Sequence, residues 1–391
     1  MRDFRAALQG IPLPAALVDL AAVDHNLAQL LAPVRAANKT LRLASKSIRC
    51  PALLRYLTDR SGGVIRGVLT YAAAETAFLA EQGFDDLLLA YPTVQESDAN
   101  LLAATNARGA SAAVVVDAVE HLTALDAAAR AAGTRIPVVV ELDLAYRPLG
   151  SLLYLGVRRS PLRDAGDVVA FVERIGGFSG LRFHGLMGYE AQIAGLADTS
   201  LARRGMKRLS RADVAGQRAR LVQALAARDL RPTLFNGGGT GSLGSASTEA
   251  ALTEVAAGSG FLDSLLFDHY RGLQLEPALF FALQAVRRPA PGMVTCLGGG
   301  YIASGGPGAA RLPQPVAPAG ARLLPLEGAG EVQTPVRLPA GVDVRLGDPV
   351  LFRPAKTGEL AEHFNEYLLV RDDRVVERAP TYRGLGRCFL G

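Results

Sequence analysis

The stretch LRLASKSIRCP, residues 41–51, decides how the rest of the chain is interpreted. Residues 41–44 form a short β-like run, and the apolar spacing after Pro51 predicts a helix. Lys46 therefore stands where a strand ends and a loop begins. A lysine in that position can face a cavity, where desolvation lowers its pKa toward the neutral amine that forms Schiff bases. The alternative for these residues alone is an ordinary surface lysine.

The composition is that of a globular enzyme without concentrated charge. Hydrophobic residues make up 49% of the 391 residues and charged residues 20%, a balance typical of a folded chain. The net charge of +5 comes from 42 basic and 37 acidic residues spread along the sequence. A nucleic-acid-binding protein would show a basic stripe with interleaved aromatic residues. We therefore expect no nucleic-acid partner.

Three sequence features favour a cytoplasmic location. No segment has the length and purity of a membrane span, so we expect no membrane partner. The opening residues MRDFRAALQG lack the apolar core of a secretory signal. The three cysteines, Cys50, Cys296 and Cys388, are odd in number and far apart, which disfavours a disulfide framework and a CxxC zinc site. We expect reduced thiols.

Apolar runs and helical patterns alternate over most of the chain. After a first strand at 15–20 and a helix at 23–38, the runs that predict buried parallel strands are 41–44, 64–69, 87–90, 112–116, 138–142, 181–187, 233–235 and 261–267. Helix-like spacing separates them, for example at 73–82, 118–132, 168–175, 211–227 and 248–257. Eight strands alternating with helices predict an α/β fold, the (β/α)8 TIM barrel. A doubly wound open sheet is the alternative.

The pattern changes beyond residue 290, where glycine and proline become dense and helical spacing disappears. Short β-like runs occur at 342–344, 350–353 and 367–370, and the last predicts a hairpin with 374–378. We predict a barrel domain over residues 1–285 and a C-terminal all-β domain over 286–391, with residues 1–38 able to contribute to the β-domain.

A glycine-rich turn, NGGGTGS at 236–242, follows the seventh predicted strand and precedes a helix expected to begin near residue 247 or 248. Glycines let backbone N–H groups approach an anion, hydroxyls add donors, and the dipole of the next helix favours negative charge. The turn therefore predicts a phosphate-binding cup. Its donors are expected from Gly238, Gly239, Thr240, Gly241 and Ser242.

The same turn contains a formal GxGxxG at 239–244, with Asp263 about twenty residues further on. A dinucleotide-binding fingerprint is expected after the first strand of its βαβ unit, whereas this one follows the seventh predicted strand. Barrels commonly bind phosphate at the loops after their last two strands. We favour the phosphate cup and keep an NAD-dependent oxidoreductase as an alternative.

Polar side chains also follow the fifth and sixth predicted strands. Arg147 can pair with an oxygen anion at the carboxyl end of a barrel strand, or only with Glu141 or Asp143. Tyr189 can donate a hydrogen bond to a phosphate or cofactor oxygen. His184 lies within an apolar strand and is better interpreted as a core histidine.

In the C-terminal region, EHFNE at 362–366 opens a predicted strand. Alternation puts His363 and Asn365 on one face of that strand. A His-x-Asp or His-x-Cys pair so arranged would suit a divalent metal or an acid/base role. Asn365 is neutral and a poor ligand, so a metal site at His363 and Asn365 is the less favoured interpretation.

Together these features resemble the fold type III pyridoxal-phosphate enzymes, specifically the D-threonine aldolase and D-serine dehydratase group, which is related to alanine racemase. The resemblance covers nearly the whole chain. It rests on LVDL at 17–20 with HNL at 25–27, Lys46-x-x-x-Cys50-Pro51, the glycine-rich turn and the C-terminal β-domain. The segments GEVQTP at 330–335 and TYRGLG at 381–386 are similar to those of relatives described as amino acid deaminase/aldolase.

The resemblance implies a role for each candidate residue. Lys46 would form a Schiff base with pyridoxal 5'-phosphate, and the turn at 238–242 would hold the cofactor phosphate. Arg147 would lie near the phenolic oxygen of the cofactor, and Tyr189 would flank it. His363 matches the histidine of the metal pair of that group and would lie near the catalytic base, whereas Asn365 departs from the pattern.

The implied activity is that of a pyridoxal-phosphate-dependent lyase on D-configured β-hydroxy amino acids. The reaction would be retro-aldol cleavage to glycine and an aldehyde, or dehydration and deamination. The resemblance also implies a homodimer. An amino acid racemase of the same fold is an alternative and needs a second base on the opposite cofactor face. A non-catalytic cofactor carrier is disfavoured by the appended β-domain.

Overall fold

The computed structural model describes residues 4–390, which form two compact units. One unit holds residues 30–46, 57–258 and the chain from 389 on, and the other holds the chain up to 29 with 47–56 and 259–388. Within the described range no helix has the length and apolar character that crossing a membrane requires.

Strands and helices of the described chain are numbered in sequence order. The strands are β1 (Ala15–Asp19), β2 (Thr40–Ala44), β3 (Ile65–Thr70), β4 (Leu87–Leu89), β5 (Ala112–Val116), β6 (Ile136–Glu141), β7 (Leu181–Gly188), β8 (Leu234–Gly237), β9 (Glu254–Ala257), β10 (Leu279–Arg287), β11 (Met293–Leu297), β12 (Gln314–Ala317), β13 (Arg322–Leu323), β14 (Gln333–Arg337), β15 (Pro349–Arg353), β16 (Glu366–Arg371) and β17 (Arg374–Pro380). The helices are α1 (Leu20–Ala36), α2 (Pro51–Arg60), α3 (Ala73–Glu81), α4 (Glu96–Ala107), α5 (Val119–Ala131), α6 (Ala165–Ile175), α7 (Ala191–Ala194), α8 (Leu201–Ala226), α9 (Leu243–Ser247) and α10 (Thr357–Leu360).

Strands β2 to β9 form a closed parallel barrel in sequence order, with β9 pairing back onto β2. The strands are rich in valine, leucine and alanine because both faces of a parallel barrel are covered. A buried cluster in this unit includes Leu88, Val115, Val139, Met187 and Leu234. Closure confirms the predicted TIM barrel and excludes the doubly wound open sheet.

The eighth barrel strand differs from the prediction. It is β9, which the sequence pattern had assigned to a helix at 248–257, whereas the apolar run at 261–267 contains short 3-10 turns. The cause is Glu254, a buried carboxylate at the start of β9. It accepts hydrogen bonds from Arg42 Nε at 2.6 Å and Asn236 Nδ2 at 2.7 Å. Because partners on neighbouring strands satisfy the charge, a buried strand carries a residue that hydrophobic patterning treats as exposed.

The other unit contains a nine-stranded, largely antiparallel sheet, which confirms the predicted all-β domain. Its main path runs β13-β14-β11-β10-β1-β16-β17, and β15 pairs with β10 and β12. A core cluster includes Phe4, Leu17, Phe280, Leu351 and Leu368. Strand β1 lies between β10 and β16, so the N-terminal segment supplies a central strand of this sheet. The domain limits of 1–285 and 286–391 stay a prediction.

The predicted hairpin at the C-terminal end is present as β16 and β17. Asp372 and Asp373 connect them with φ values of 49° and 60°, the positive pair that a tight type I′ turn requires. Two other strand predictions are wrong. Residues 342–344 form no strand, and the segment before Glu366 contains a 3-10 turn, Ala361–His363. The turn forms because Thr381 Oγ1 donates to the Phe364 carbonyl, which fixes the chain before β16 begins.

Candidate active site

Lys46 lies directly after β2, at the rim formed by the carboxyl ends of the barrel strands. Ser45 anchors the preceding position, because its Oγ donates to the Leu69 carbonyl of β3 at 3.0 Å. The Lys46 Nζ atom donates to the Tyr91 hydroxyl at 3.1 Å. The Lys46 side chain is exposed to solvent, whereas the sequence favoured a lysine that faces a cavity.

Arg159 lies over two tyrosine rings of the rim, that of Tyr91 beside Lys46 and that of Tyr189 after β7. The Arg159 guanidinium carbon lies 5.9 Å from the centre of the Tyr91 ring and 5.3 Å from that of Tyr189. Both distances are within the range of a cation–π contact. Tyr189 follows β7 and lies beside the glycine turn. Burial raises its pKa to about 12, so the phenol stays protonated and can donate a hydrogen bond.

Glu141, the last residue of β6, faces Arg159, with 3.7 Å between its Oε1 and Arg159 Nη1. Burial raises the pKa of this carboxyl to about 7, although Arg159 opposes the shift; Asp117 adds to it. Part of the Glu141 population is therefore protonated near neutral pH, and Arg159 is then less neutralised. Sequence reasoning missed Tyr91, Arg159 and this role of Glu141. No local signal in the sequence marked them, because each is distinguished by what it contacts in the folded chain.

The glycine turn after β8 is fixed by close packing and internal hydrogen bonds. Gly238 has φ +86°, a conformation that disfavours side chains with a Cβ. A Cβ on Gly239 would lie 3.0 Å from Cε2 of Tyr189, so the turn packs against that ring. Ser242 Oγ accepts from the Gly239 N–H at 3.1 Å and donates to Glu190 Oε1 at 2.6 Å. Glu190 also accepts from the Gly238 N–H at 3.2 Å.

The helix after the turn starts earlier than predicted. A 3-10 turn, Thr240–Ser242, leads directly into α9, a helix of only 5 residues that ends at Ser247. The expected start near residue 247 was wrong because serine and threonine there resemble N-capping residues. Within the structure Thr248 ends the helix instead. The backbone donors of Thr240 and Gly241 therefore lie at the start of helical structure.

Arg147 is held beside the fifth barrel loop by Asp143, with which it forms an ion pair through Nη2. Its guanidinium carbon lies 4.7 Å from the centre of the Tyr154 ring. Asp143 is buried and also accepts from the Tyr154 hydroxyl at 3.1 Å. Among residues 4–390 the buried Nε of Arg147 has no hydrogen-bond partner. Such an orphaned donor suits an acceptor oxygen of a bound molecule.

His184 is not one of the residues at the rim. His184 lies in β7 and its ring faces Arg182 at 3.4 Å. Burial, and then the charge of Arg182, lowers its pKa. It is therefore neutral near pH 7, in keeping with a structural histidine.

His363 and Asn365 are described within their own unit. Both side chains are exposed, and Phe364 between them is buried, so the expected alternation is kept without a strand. The His363 ring lies 4.7 Å from the Tyr301 ring. The ring is partly shielded from solvent, and this partial desolvation, followed by the charge of Arg383, lowers the pKa of His363. In the described part of the chain no group of three or more His, Cys, Asp or Glu residues could hold a metal ion. The donor set does not fit a divalent metal.

The barrel rim fits pyridoxal 5'-phosphate better. It offers a primary amine at a strand end, a turn with backbone donors at the start of a helix, and an arginine with an orphaned donor. These groups match the aldehyde, the phosphate and the phenolic oxygen of that cofactor. The fit rests on Lys46, Arg147 and the Thr240–Gly241 part of the turn. Of the other donors expected from the sequence, the Gly238 N–H and the Ser242 hydroxyl donate to Glu190, and the Gly239 N–H donates to Ser242.

A closed parallel barrel accompanied by a mostly-β unit, with a lysine after the first barrel strand, is the architecture of the alanine racemase class. The family model described as "Alanine racemase, N-terminal domain" matches residues 18–262. The chain belongs to this family, which confirms the resemblance inferred from its sequence.

Individual relatives are more distant. A D-threonine aldolase of Arthrobacter sp is 27% identical over 295 residues, covering 73% of this chain and 71% of that protein. A 3-hydroxy-D-aspartate aldolase of Paracoccus denitrificans (strain Pd 1222) is 26% identical over 256 residues, covering 65% of this chain and 61% of that protein. The crystal structure of D-threonine aldolase from Filomicrobium marinum has a TM-score of 0.83 at 23% identity, with 96% of each chain covered. The last comparison shows a shared fold.

Proposed function

We propose that this protein is a pyridoxal-phosphate-dependent lyase that acts on D-configured β-hydroxy amino acids. One observation carries the proposal. Of the four lysines, Lys46 alone directly follows a barrel strand, and its Nζ lies 3.1 Å from a tyrosine hydroxyl. The other three lie before β2, within α8 and before α10. The activities named for the relatives, a D-threonine aldolase and a 3-hydroxy-D-aspartate aldolase, support the choice of reaction.

The cofactor would be held by residues of the barrel rim. Lys46 would carry it covalently, Arg147 would donate to its phenolic oxygen, and Tyr189 would flank it. The phosphate would bind at the turn, where Thr240 and Gly241 begin the 3-10 helix. When bound, this cofactor supplies an electron sink that stabilises negative charge developing at Cα of an amino acid.

The side chains of the rim would then move and hold protons. The Lys46 amine would hold a proton and deliver it to Cα of the substrate. Tyr91 would orient the Lys46 nitrogen through the hydrogen bond described above. Arg159, which is partly exposed, would attract a substrate carboxylate. In the retro-aldol reaction the β-hydroxyl would lose its proton to a base, and the products would be glycine and an aldehyde.

Three further parts of the proposal rest on the family resemblance and on the cysteines, namely the role of His363, the oligomeric state and the location. The role of His363 near the catalytic base stays a prediction. We propose a homodimer, as the related enzymes suggest, to be tested by light scattering coupled to gel filtration. We also propose a cytoplasmic location, which is supported by the thiols: among the described residues Cys50, Cys296 and Cys388 form no disulfide.

The decisive experiment is an absorbance spectrum of protein that is loaded with pyridoxal 5'-phosphate and then freed of unbound cofactor by gel filtration, for the wild type, Lys46→Ala and the control Lys356→Ala. A near-visible band and turnover should be present in the wild type and the control and lost in Lys46→Ala. A band that persists in Lys46→Ala would contradict the proposal.

Product analysis then separates the reactions. D-Threonine, D-serine and D-3-hydroxyaspartate are assayed with and without divalent metal. Glycine and an aldehyde indicate the aldolase, and ammonia with a 2-oxo acid indicates the dehydratase. Racemised substrate would indicate a racemase instead. Binding of NAD without a near-visible band would indicate the oxidoreductase.

A further inference from the structure

A buried cluster of charges lies beneath the glycine turn. Glu190 is buried, and both of its carboxylate oxygens accept hydrogen bonds from the turn, from Ser242 Oγ at 2.6 Å and from the Gly238 N–H at 3.2 Å. A carboxylate thus holds both ends of the turn that is proposed to bind a phosphate. On its own, a negative charge in this position would repel the ligand.

Arg218 compensates that charge. Its Nη2 lies 2.5 Å from Glu190 Oε2 and donates to the Gly188 carbonyl at 2.9 Å. Its Nη1 donates to both carboxylate oxygens of Glu249, at 2.9 and 2.8 Å. Arg218 has no exposed side-chain surface, although it belongs to a long helix rich in basic residues. Burial alone would raise the pKa of Glu190, but Arg218 and Ser242 lower it, so Glu190 is ionised at neutral pH.

The backbone at Gly237 leaves space for this guanidinium. A Cβ on Gly237 would lie 2.5 Å from Arg218 Nη2 and 3.1 Å from its Cζ. A side chain at the first glycine of the turn would therefore displace the guanidinium. A buried ion pair is seldom a net source of stability, because desolvation of both charges offsets their attraction. A role in ligand binding accounts better for the placement of Arg218 against the turn.

We infer that Arg218 is a positioning residue of the phosphate site, which keeps the turn receptive to a phosphate monoester by neutralising the Glu190 carboxylate that fixes the turn. The inference rests on the proposed function, since it concerns the phosphate of the same cofactor. Glu249 contacts the same guanidinium from beyond α9 and offers a matched control.

Two double variants of the full chain test this inference, Arg218→Gln with Glu190→Gln and Arg218→Gln with Glu249→Gln. The two double variants have the same net charge. Both lack Arg218, but the first retains the Glu249 carboxylate and the second retains the Glu190 carboxylate. Affinities of the apo proteins are measured by absorbance titration with pyridoxal 5'-phosphate and with pyridoxal, which lacks the phosphate. The quantity compared is the ratio of the two affinities.

The variant that retains Glu190 should lose roughly tenfold in this ratio, while the variant that retains Glu249 should stay within about threefold of the wild type. If the former does not fold, the single variants Glu190→Gln and Glu249→Gln replace the pair, and the ratio should be about threefold higher in Glu190→Gln. Equal ratios in the pair, or equal weakening of both ligands, would overturn the inference. A wild type that binds neither ligand would instead overturn the proposed function and this inference with it.

Discussion

The Lys46 amine and the Tyr91 hydroxyl form a hydrogen bond of 3.1 Å across two strands of the barrel rim. Because this bond fixes the nitrogen that would move a proton at Cα, Tyr91→Phe should lower kcat roughly tenfold with little change in KM. Steady-state kinetics check the result. Tyr56→Phe is the control, since it removes a hydroxyl bonded to Asp24 and Arg371 and should reduce stability only. An unchanged kcat in Tyr91→Phe would contradict the role assigned to the hydroxyl.

Arg159 lies within cation–π distance of both tyrosine rings of the rim, those of Tyr91 and Tyr189. Arg159→Met should raise KM for an amino acid substrate roughly tenfold, because a charge-assisted contact to its carboxylate is lost. Arg158→Met is the matched control, as its guanidinium lies over Tyr154 at 4.2 Å. A larger effect of Arg158→Met than of Arg159→Met would refute the assignment.

Glu141 should make the stability of the protein depend on pH in a defined window. Its pKa is raised from 4.5 to about 7, so the folded state holds this proton more tightly than the unfolded state. The resulting stabilisation is fully present below about pH 4.5 and is lost as pH rises toward 7.

Between these limits the free energy of unfolding of the wild type should therefore fall by ~3 kcal/mol more than that of Glu141→Gln. Urea denaturation across the pH range measures the difference. Other carboxyls, such as Asp263, are common to both proteins and cancel in the comparison. Parallel pH profiles of the two proteins would show that Glu141 is not the group responsible.

A buried ion pair joins β2 and β9, the two strands whose pairing closes the barrel. Arg42 and Glu254 are both buried, with Nε and Oε1 2.6 Å apart. Arg42→Met should reduce the free energy of unfolding by about 3–5 kcal/mol, because Glu254 is left buried without its cation. Adding Glu254→Gln should restore part of the loss. Denaturant unfolding of the single and double variants tests the expectation, and a double variant no more stable than Arg42→Met would contradict it.

Much of the barrel could be predicted because most of its strands are buried on both faces. Strand β5 is AAVVV and every residue of it is buried, so its apolar run is unambiguous. Strand β9 could not be predicted in the same way, since Glu254 breaks the pattern and its partners Arg42 and Asn236 are about 200 and 20 residues away in sequence. Long-range pairing, rather than local propensity, decides that strand.

The residues of the candidate site likewise differ in whether the local sequence predicts them. Lys46 and the glycine turn carry local signals, a strand end and a run of glycines, and sequence reasoning found both. Tyr91, Arg159 and Arg218 carry no such signal, because each is distinguished only by what it contacts in the folded chain. Arg218 is one of several basic residues in α8, and nothing in that helix's sequence separates the buried arginine from the exposed ones.

The ion pairs of Arg42 with Glu254 and Asp86 lie toward the amino ends of the barrel strands, since Glu254 opens β9 and Asp86 immediately precedes β4. Lys46, Tyr91 and the glycine turn follow the carboxyl ends. Loop positions at the carboxyl ends, other than site residues such as Arg147 and Arg159, can therefore be varied to change substrate preference without weakening the ion pairs between the barrel strands. This separation makes the chain a suitable scaffold for directed evolution, because variation can be confined to one rim while the other is left untouched.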